Sequence, residues 1–228
     1  MNIIDLFSID NVLFTIGRQQ VSYLEVLCTV SGLVCIFLAV RAKVANFWVG
    51  YLYNILLFPL FLQKGLYSSM LLQPISFAIN IFGHYRWTHP HKNEQNRNHE
   101  LKISLMSNSH RIIYLLSIVV LTFIWWMVVS KIHEWWPPKY PVGDLRKFLD
   151  AFVVVMVLVA QLLAAKKKLD CWGAWMTVNI TNLTLYSLSG LLFLTLECTG
   201  KIVLATFGFK LWIEKYKKEQ KEEFTEDG

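Results

Sequence analysis

The sequence predicts an all-α membrane protein of seven transmembrane helices, laid out as a parallel 3+1+3 duplication. Three observations predict it. Charged residues make up 17% of the 228 residues and hydrophobic ones 55%, with a mean hydropathy of +0.42; a soluble domain carries about 25% charge. The charges are segregated, so that seven apolar runs of near-spanning length follow one another. The chain also matches itself at a constant offset of 125 residues.

Residues 1–22 open the chain. Ile3, Ile4, Leu6, Phe7, Val12, Leu13, Phe14 and Ile16 are broken by Asp5, Asp10 and Asn11, with no basic start and no small-residue cleavage site. That pattern predicts an amphipathic segment on the membrane surface rather than a cleaved leader. The spans follow at 23–40, 47–62, 66–85, 112–130, 148–165, 172–189 and 191–212. Most reach the ~20 residues a bilayer core requires, and the second is short. Lys64-Gly65, Pro137-Pro138, Lys166-Lys167-Lys168 and Ser189-Gly190 punctuate them. The chain therefore divides into the interfacial segment 1–22 and a first three-helix repeat, 23–87. A middle part, 88–147, holds a charged cytoplasmic loop, the linker helix and an outer loop. A second repeat at 148–213 and a charged cytoplasmic tail at 214–228 complete it.

Seven spans put the termini on opposite sides. The side bearing the C-terminus collects fourteen Lys and Arg, among them Arg41, Arg86, Arg97 and Lys166-Lys167-Lys168. The other side has six: Arg18, Lys64, Lys131, Lys139, Arg146 and Lys147. The positive-inside rule then sets the C-terminus in the cytoplasm and the N-terminus outside. The net charge of +6 is this topology signal and implies no nucleic-acid partner.

Sliding 25–87 onto 150–212 needs no gaps and gives fifteen identities in 63 pairs. Glu25 meets Asp150, Arg41 meets Lys166, Asn54 meets Asn179, Gly65 meets Gly190, Gly83 meets Gly208 and Trp87 meets Trp212. Apolar composition alone would not align the charges, the glycines and the closing tryptophan. The single span between the units carries the chain back, so both units start on one face. Transporters built this way place substrate near the midplane, between the repeats.

Polar side chains in a hydrocarbon-spanning helix need a partner or a job. In the sixth span Trp172, Trp175, Asn179, Asn182 and Tyr186 share one helical face. They form either an interhelical hydrogen-bonded seam or the wall of an aromatic-lined polar cavity. The third span places Gln73, Ser76, Asn80 and His84 on one face beside Pro74, which cannot donate to the helix ladder. Gln63 ends the second span and is either an interfacial anchor or a site residue; Asn54, matched to Asn179, ties helices or binds. Glu197 and Lys201, four apart in the last span, read as a neutralising pair, or Glu197 lends negative potential to a cationic substrate.

The four cysteines have no CxxC spacing and lie in apolar runs, so neither redox chemistry nor zinc is expected. His89, His91 and His99 lack acidic or thiol partners at ligand spacing, which predicts no metal site. No GxSxG, HExxH or GxxxxGK[ST] occurs, and no carboxylate cluster. An enzyme and a primary pump are thereby disfavoured, no catalytic residue is named, and no cofactor is implied. A seven-span photosensor using Lys201 or Lys210 as a Schiff-base amine is the rival from another class. The duplication and the absence of an acidic counter-ion in the third span oppose it.

The stretches 63–73 (QKGLYSSMLLQ), 80–87 (NIFGHYRW) and 172–179 (WGAWMTVN) resemble the nicotinamide riboside transporter (PnuC) family, and the resemblance runs from about residue 6 to 212. It implies a 3+1+3 duplication of the SWEET-type sugar-carrier unit. It also implies uptake of nicotinamide riboside, an NAD precursor, by facilitated diffusion, with cytoplasmic phosphorylation trapping the product. A homotrimer in the bacterial inner membrane is likewise implied. By the same resemblance Trp172, Trp175, Asn179, Gln73 and Asn80 line the substrate site. Broader relatives carry thiamine, riboflavin or deoxynucleosides, so the vitamin itself stays open at this point. In the first repeat Phe47 and Gly50 stand where the second has Trp172 and Trp175, which predicts a lopsided site.

Overall fold

The computed structural model describes residues 7–17, 19–96, 100–138 and 141–224. Residues 1–6 of the opening segment, Arg18, Arg97 and Lys139 of the charge tally, His99 and the last residues of the tail lie outside them. Seven helices form the described body: α1 (Tyr23–Val40), α2 (Ala45–Gln63), α3 (Tyr67–Thr88), α4 (Asn108–Trp135), α5 (Asp144–Ala165), α6 (Cys171–Leu188) and α7 (Leu192–Phe224). Every span expected from the sequence is a helix. A two-stranded antiparallel hairpin, β1 (Val12–Ile16) and β2 (Gln19–Ser22), precedes them. Gly17 takes φ +61° in its connection, a conformation open to glycine without steric cost. Among the described residues this hairpin, with isolated β-bridges at Gln95–Leu101 and Ser104–Lys168, departs from an all-helical chain.

Five helices are long and apolar enough to cross a membrane by length and composition: α1, α2, α4, α5 and α7. The third and sixth expected spans, α3 and α6, are not among them. Their polar stripes lower the hydropathy, and most of each stripe faces the interior of the bundle. α7 also runs past the expected end at 212 as far as Phe224.

Local chemistry sets the helix starts. Ser22 Oγ accepts from Glu25 N at 3.2 Å to cap α1, and Ser107 Oγ accepts from His110 N to cap α4. Two further caps come from distant carboxylates. Asp150 on α5 accepts from Ser68 N at 3.0 Å and Ser69 N at 3.2 Å in the first turn of α3, and Ser69 Oγ donates to it as well. Glu25 on α1 accepts from Phe193 N at 2.8 Å in the first turn of α7. The acceptors are 125 residues apart, and so are Ser68 and Phe193. A carboxylate there satisfies orphan amides and sits at the positive end of the helix dipole.

The same offset relates other features. Gly65 and Gly190 have φ of +67° and +66°, and Ala42 and Lys167 have +53° and +50°. α1 packs on α2 and α7, whereas α5 packs on α6 and α3. α4 lies against α5 and is otherwise largely uncovered, with Leu115, Leu116, Val119 and Val120 exposed. Two buried apolar clusters hold the bundle: one around Leu60, Leu66, Leu185 and Leu194, the other around Trp87, Trp172 and Trp212. At the second cluster the 92–106 segment is tied to the extension of α7. Asn96 Nδ2 and Ile103 N both donate to Glu219, at 3.0 and 3.1 Å.

Candidate functional site

A cavity of about 180 Å³ opens between the helices, bordered by α1, α2, α3, α5, α6 and α7. The α6 stripe forms one wall: Trp172, Trp175, Asn179, Asn182 and Tyr186 all line it. Their spacing of three and four residues is what puts them on one side of α6. Gln73, Ser76 and Asn80 line it from α3, and Asn54 from α2. These nine residues, all singled out from the sequence, thus meet in one place.

Gln63, Glu197 and His84 do not line it, and His84 Nδ1 instead lies 3.1 Å from the Tyr51 hydroxyl. Gln63 binds the opening segment instead: its Nε2 donates to Phe7 O at 2.8 Å and Pro59 O at 2.9 Å, and its Oε1 accepts from Ile9 N at 3.0 Å. Glu197 is buried behind the wall, 2.8 Å from Lys201 Nζ. Its negative charge is spent on Lys201, the neutralising pair that the spacing allowed.

The aromatic end of the cavity rests on glycines. Phe47 meets Trp87 edge-on at 5.2 Å and 89°; Trp172 meets Trp212 at 5.4 Å and 88°. A Cβ on Gly83 would come within 2.7 Å of the Phe47 ring, and one on Gly208 within 2.5 Å of the Trp172 ring. Each ring therefore lies flat on a bare helix backbone. Where α6 carries Trp175, α2 carries Gly50, and a Cβ there would stand 2.9 Å from Asn80 Nδ2. The missing side chain leaves room for Asn80 on one side, while Trp175, half-buried, supplies a face on the other.

The polar atoms are partly committed. Gln73 Nε2 donates to Ser69 O at 2.7 Å, and Asn179 Nδ2 to Trp175 O at 2.8 Å, which fixes both amides on their own helices. Asn54 Nδ2, Asn182 Oδ1, Gln161 Oε1, Trp172 Nε1 and Trp212 Nε1 are buried without a protein partner, and all five residues border the cavity. Unpaired buried polar atoms are rare; these five border one space, while those of Thr29, Ser68, Thr122, Trp125, Trp126 and Arg146 lie away from it. Donors and acceptors of both kinds are thus available to a flat ligand with mixed hydrogen-bonding substituents.

Sequence reasoning missed Tyr53, Gln161, Lys201 and Trp212 as lining residues. Gln161 had a signal, a lone amide inside the apolar run of the fifth span. Tyr53 had none beyond polarity and Lys201 showed only as the partner of Glu197, because their place at the cavity depends on α2 and α7 packing on α1. Outside the spans, Lys167 sits in the α5–α6 turn with Nζ donating to Leu101 O at 2.8 Å, 4.9 Å above the Trp87 ring. Burial pushes its ammonium down to about 8. Among the described residues no cluster of His, Cys, Asp or Glu could hold a metal.

The model of a family described as "Nicotinamide mononucleotide transporter" matches residues 22–214. The chain is 30% identical to the nicotinamide riboside transporter PnuC of Escherichia coli strain K12, covering 92% of this chain and 94% of that one. It is 23% identical to the nicotinamide riboside transporter PnuC of Neisseria mucosa, over 74% of this chain and 61% of that one. A crystal structure titled as the vitamin B3 transporter PnuC superposes with a TM-score of 0.68 at 20% identity, covering 86% of this chain and 83% of that one.

Proposed function

The chain belongs to the nicotinamide mononucleotide transporter family, a multi-pass protein of the bacterial inner membrane, and we propose that it carries nicotinamide riboside by facilitated diffusion, with cytoplasmic phosphorylation trapping the product. The observation that carries the reading is the cavity itself, an aromatic wall facing amide side chains. Trp175 or Trp172 offers a face to the pyridinium cation, worth about 2 kcal/mol when desolvated. Asn54, Gln73, Asn80, Asn179 and Asn182 suit the carboxamide and the ribose hydroxyls, and Tyr186 closes the wall.

The domain reading belongs to the same proposal: an interfacial segment at 1–22, two three-helix repeats at 23–87 and 148–213, a linker helix between them and a cytoplasmic tail. The reciprocal caps of Glu25 and Asp150, the matched glycine turns and the paired edge-on rings, all 125 residues apart, support a parallel 3+1+3 duplication. The two units rock about the shared cavity, with Pro74 as a bending point on α3. The charge tally supports an outer N-terminus and a cytoplasmic C-terminus. The homotrimer rests on the resemblance alone.

Transport in liposomes holding only this protein tests the reading. Riboside should equilibrate across the bilayer without ATP or an ion gradient. Accumulation above the outside concentration that collapses with an ionophore would show coupling and defeat facilitated diffusion.

A further inference from the structure

Among the described residues that line the cavity, Lys201 carries the only charge. That ammonium is held from behind. Glu197, four residues earlier on α7, lies 2.8 Å from it, and Lys201 Nζ also donates to the Tyr53 hydroxyl at 3.0 Å. The Tyr53 hydroxyl in turn donates to Glu197 Oε1 at 3.3 Å. The Glu197 side chain is 1% exposed and the Lys201 side chain 16%. Glu197 fits only because Gly32 on α1 has no side chain; a Cβ there would collide with Oε1. The triad is net neutral, with its carboxylate hidden and its ammonium at the wall.

Nicotinamide riboside and its mononucleotide differ by one 5′-phosphate, and the family's description and its relatives' names differ by that same group. The riboside is a cation with a neutral sugar. The mononucleotide adds a group of about −1.5 to −2 charge. A phosphate leaving water needs a cation that is not already paired, because an ionised group buried without compensation is costly. Lys201 is already paired. Two of its three N–H donors serve Glu197 and Tyr53, and the third can meet only one acceptor, such as a neutral sugar oxygen.

We infer that Glu197, by neutralising Lys201, makes the cavity select the unphosphorylated nucleoside over its 5′-phosphate. Glu197 acts through Lys201 and touches no substrate. The inference rests on the riboside-carrier reading and deepens it.

The experiment titrates nicotinamide riboside and nicotinamide mononucleotide, in competition, into the purified full chain. It uses wild type, Glu197→Gln, Lys201→Met and the Glu197→Gln/Lys201→Met double variant, each checked for folding by melting. Glu197→Gln leaves a bare ammonium at the wall, which repels the pyridinium and attracts phosphate. The ratio of riboside to mononucleotide affinity should fall by at least about tenfold. Lys201→Met leaves a bare carboxylate, and the ratio should rise above that of the double variant. The double variant is neutral again and should return toward the wild-type ratio. Folded single variants with the wild-type ratio overturn the inference. If Glu197→Gln fails to fold, the remaining pair decides: a Lys201→Met ratio no higher than the double variant's overturns it equally. Wild type that binds neither ligand defeats the riboside-carrier reading itself, whereas wild type that binds riboside with an unmoved ratio across the variants defeats only the role of Glu197.

Discussion

Trp175 and Trp172 stand three residues apart on one helix, yet they do different physical jobs. Trp172 is 2% exposed and lies on Gly208 against Trp212, while Trp175 is half-buried at the cavity wall. Affinity for riboside should therefore fall in the order Trp, Phe, Leu at 175. The Leu change should cost about 1–2 kcal/mol, roughly 5- to 30-fold, with the melting temperature nearly unchanged. Binding and melting measured on the same three preparations check this, and unchanged affinity in a folded Trp175→Leu would remove Trp175 from the site. Gly208→Ala should behave in the opposite way. Its Cβ would meet the rigid Trp172 ring at 2.5 Å, so overpacking should lower stability by about 1–3 kcal/mol, read as a drop in melting temperature. Lys167 gives a pH signature. Its folded ammonium titrates at about 8 against an ordinary 10.5, so between these values the unfolded chain holds the extra proton. Stability should then rise from pH 8 to pH 10.5, and Lys167→Met should flatten that rise in a series of melts. The sequence showed the α6 stripe because period alone places side chains on a helix face. It could not show Gly208 under Trp172, since that contact joins residues on different helices.

Elements meet through the two carboxylate caps. Asp150 ties the start of α3 to α5, and Glu25 ties the start of α7 to α1, so each cap binds helices more than 80 residues apart in the chain. Asp150→Ala strands two buried amides and a hydroxyl, at about 1–3 kcal/mol for an unsatisfied group. Asp150→Asn keeps an acceptor and should lose less. A melting series of Asp150→Ala, Asp150→Asn and Glu25→Gln checks the order, and an unchanged melt for Asp150→Ala would show that the cap carries no stability. Both acids were visible in the sequence as matched openings of the two units; their partners were not. The expected spans agree with α1–α7 to within a few residues at most ends. The exceptions are α4, which begins four residues early at its Ser107 cap and ends five late at Trp135, α5, which begins four early at Asp144, and α7, which continues because nothing breaks the charged run after Trp212. The hairpin at β1 and β2 was hidden because apolar residues flanking Gly17 fit an amphipathic surface segment equally well.

For the whole molecule, the proposed orientation rests on charge asymmetry alone, so it can be tested without touching the site. A reporter fused after Gly228 should be active only in the cytoplasm, and a periplasmic signal would sink the topology. Composition, segregated charge and the apolar runs determined that this chain is a helical membrane protein, because each span's tendency to leave water is a local sum over its own residues. The 125-residue self-match and the one-sided stripes at Gln73–Asn80 and Trp172–Tyr186 likewise needed only spacing. What those stripes face was decided by tertiary structure. Packing α1 on α7 and α5 on α3 brings Asn54, Asn80 and Asn182 to one cavity, sends Gln63 to the opening segment, and locks Glu197 behind Lys201. A polar residue in a span announces that it has a partner or a job. Which partner it has depends on residues brought near by folding, and single-chain periodicity holds no record of them.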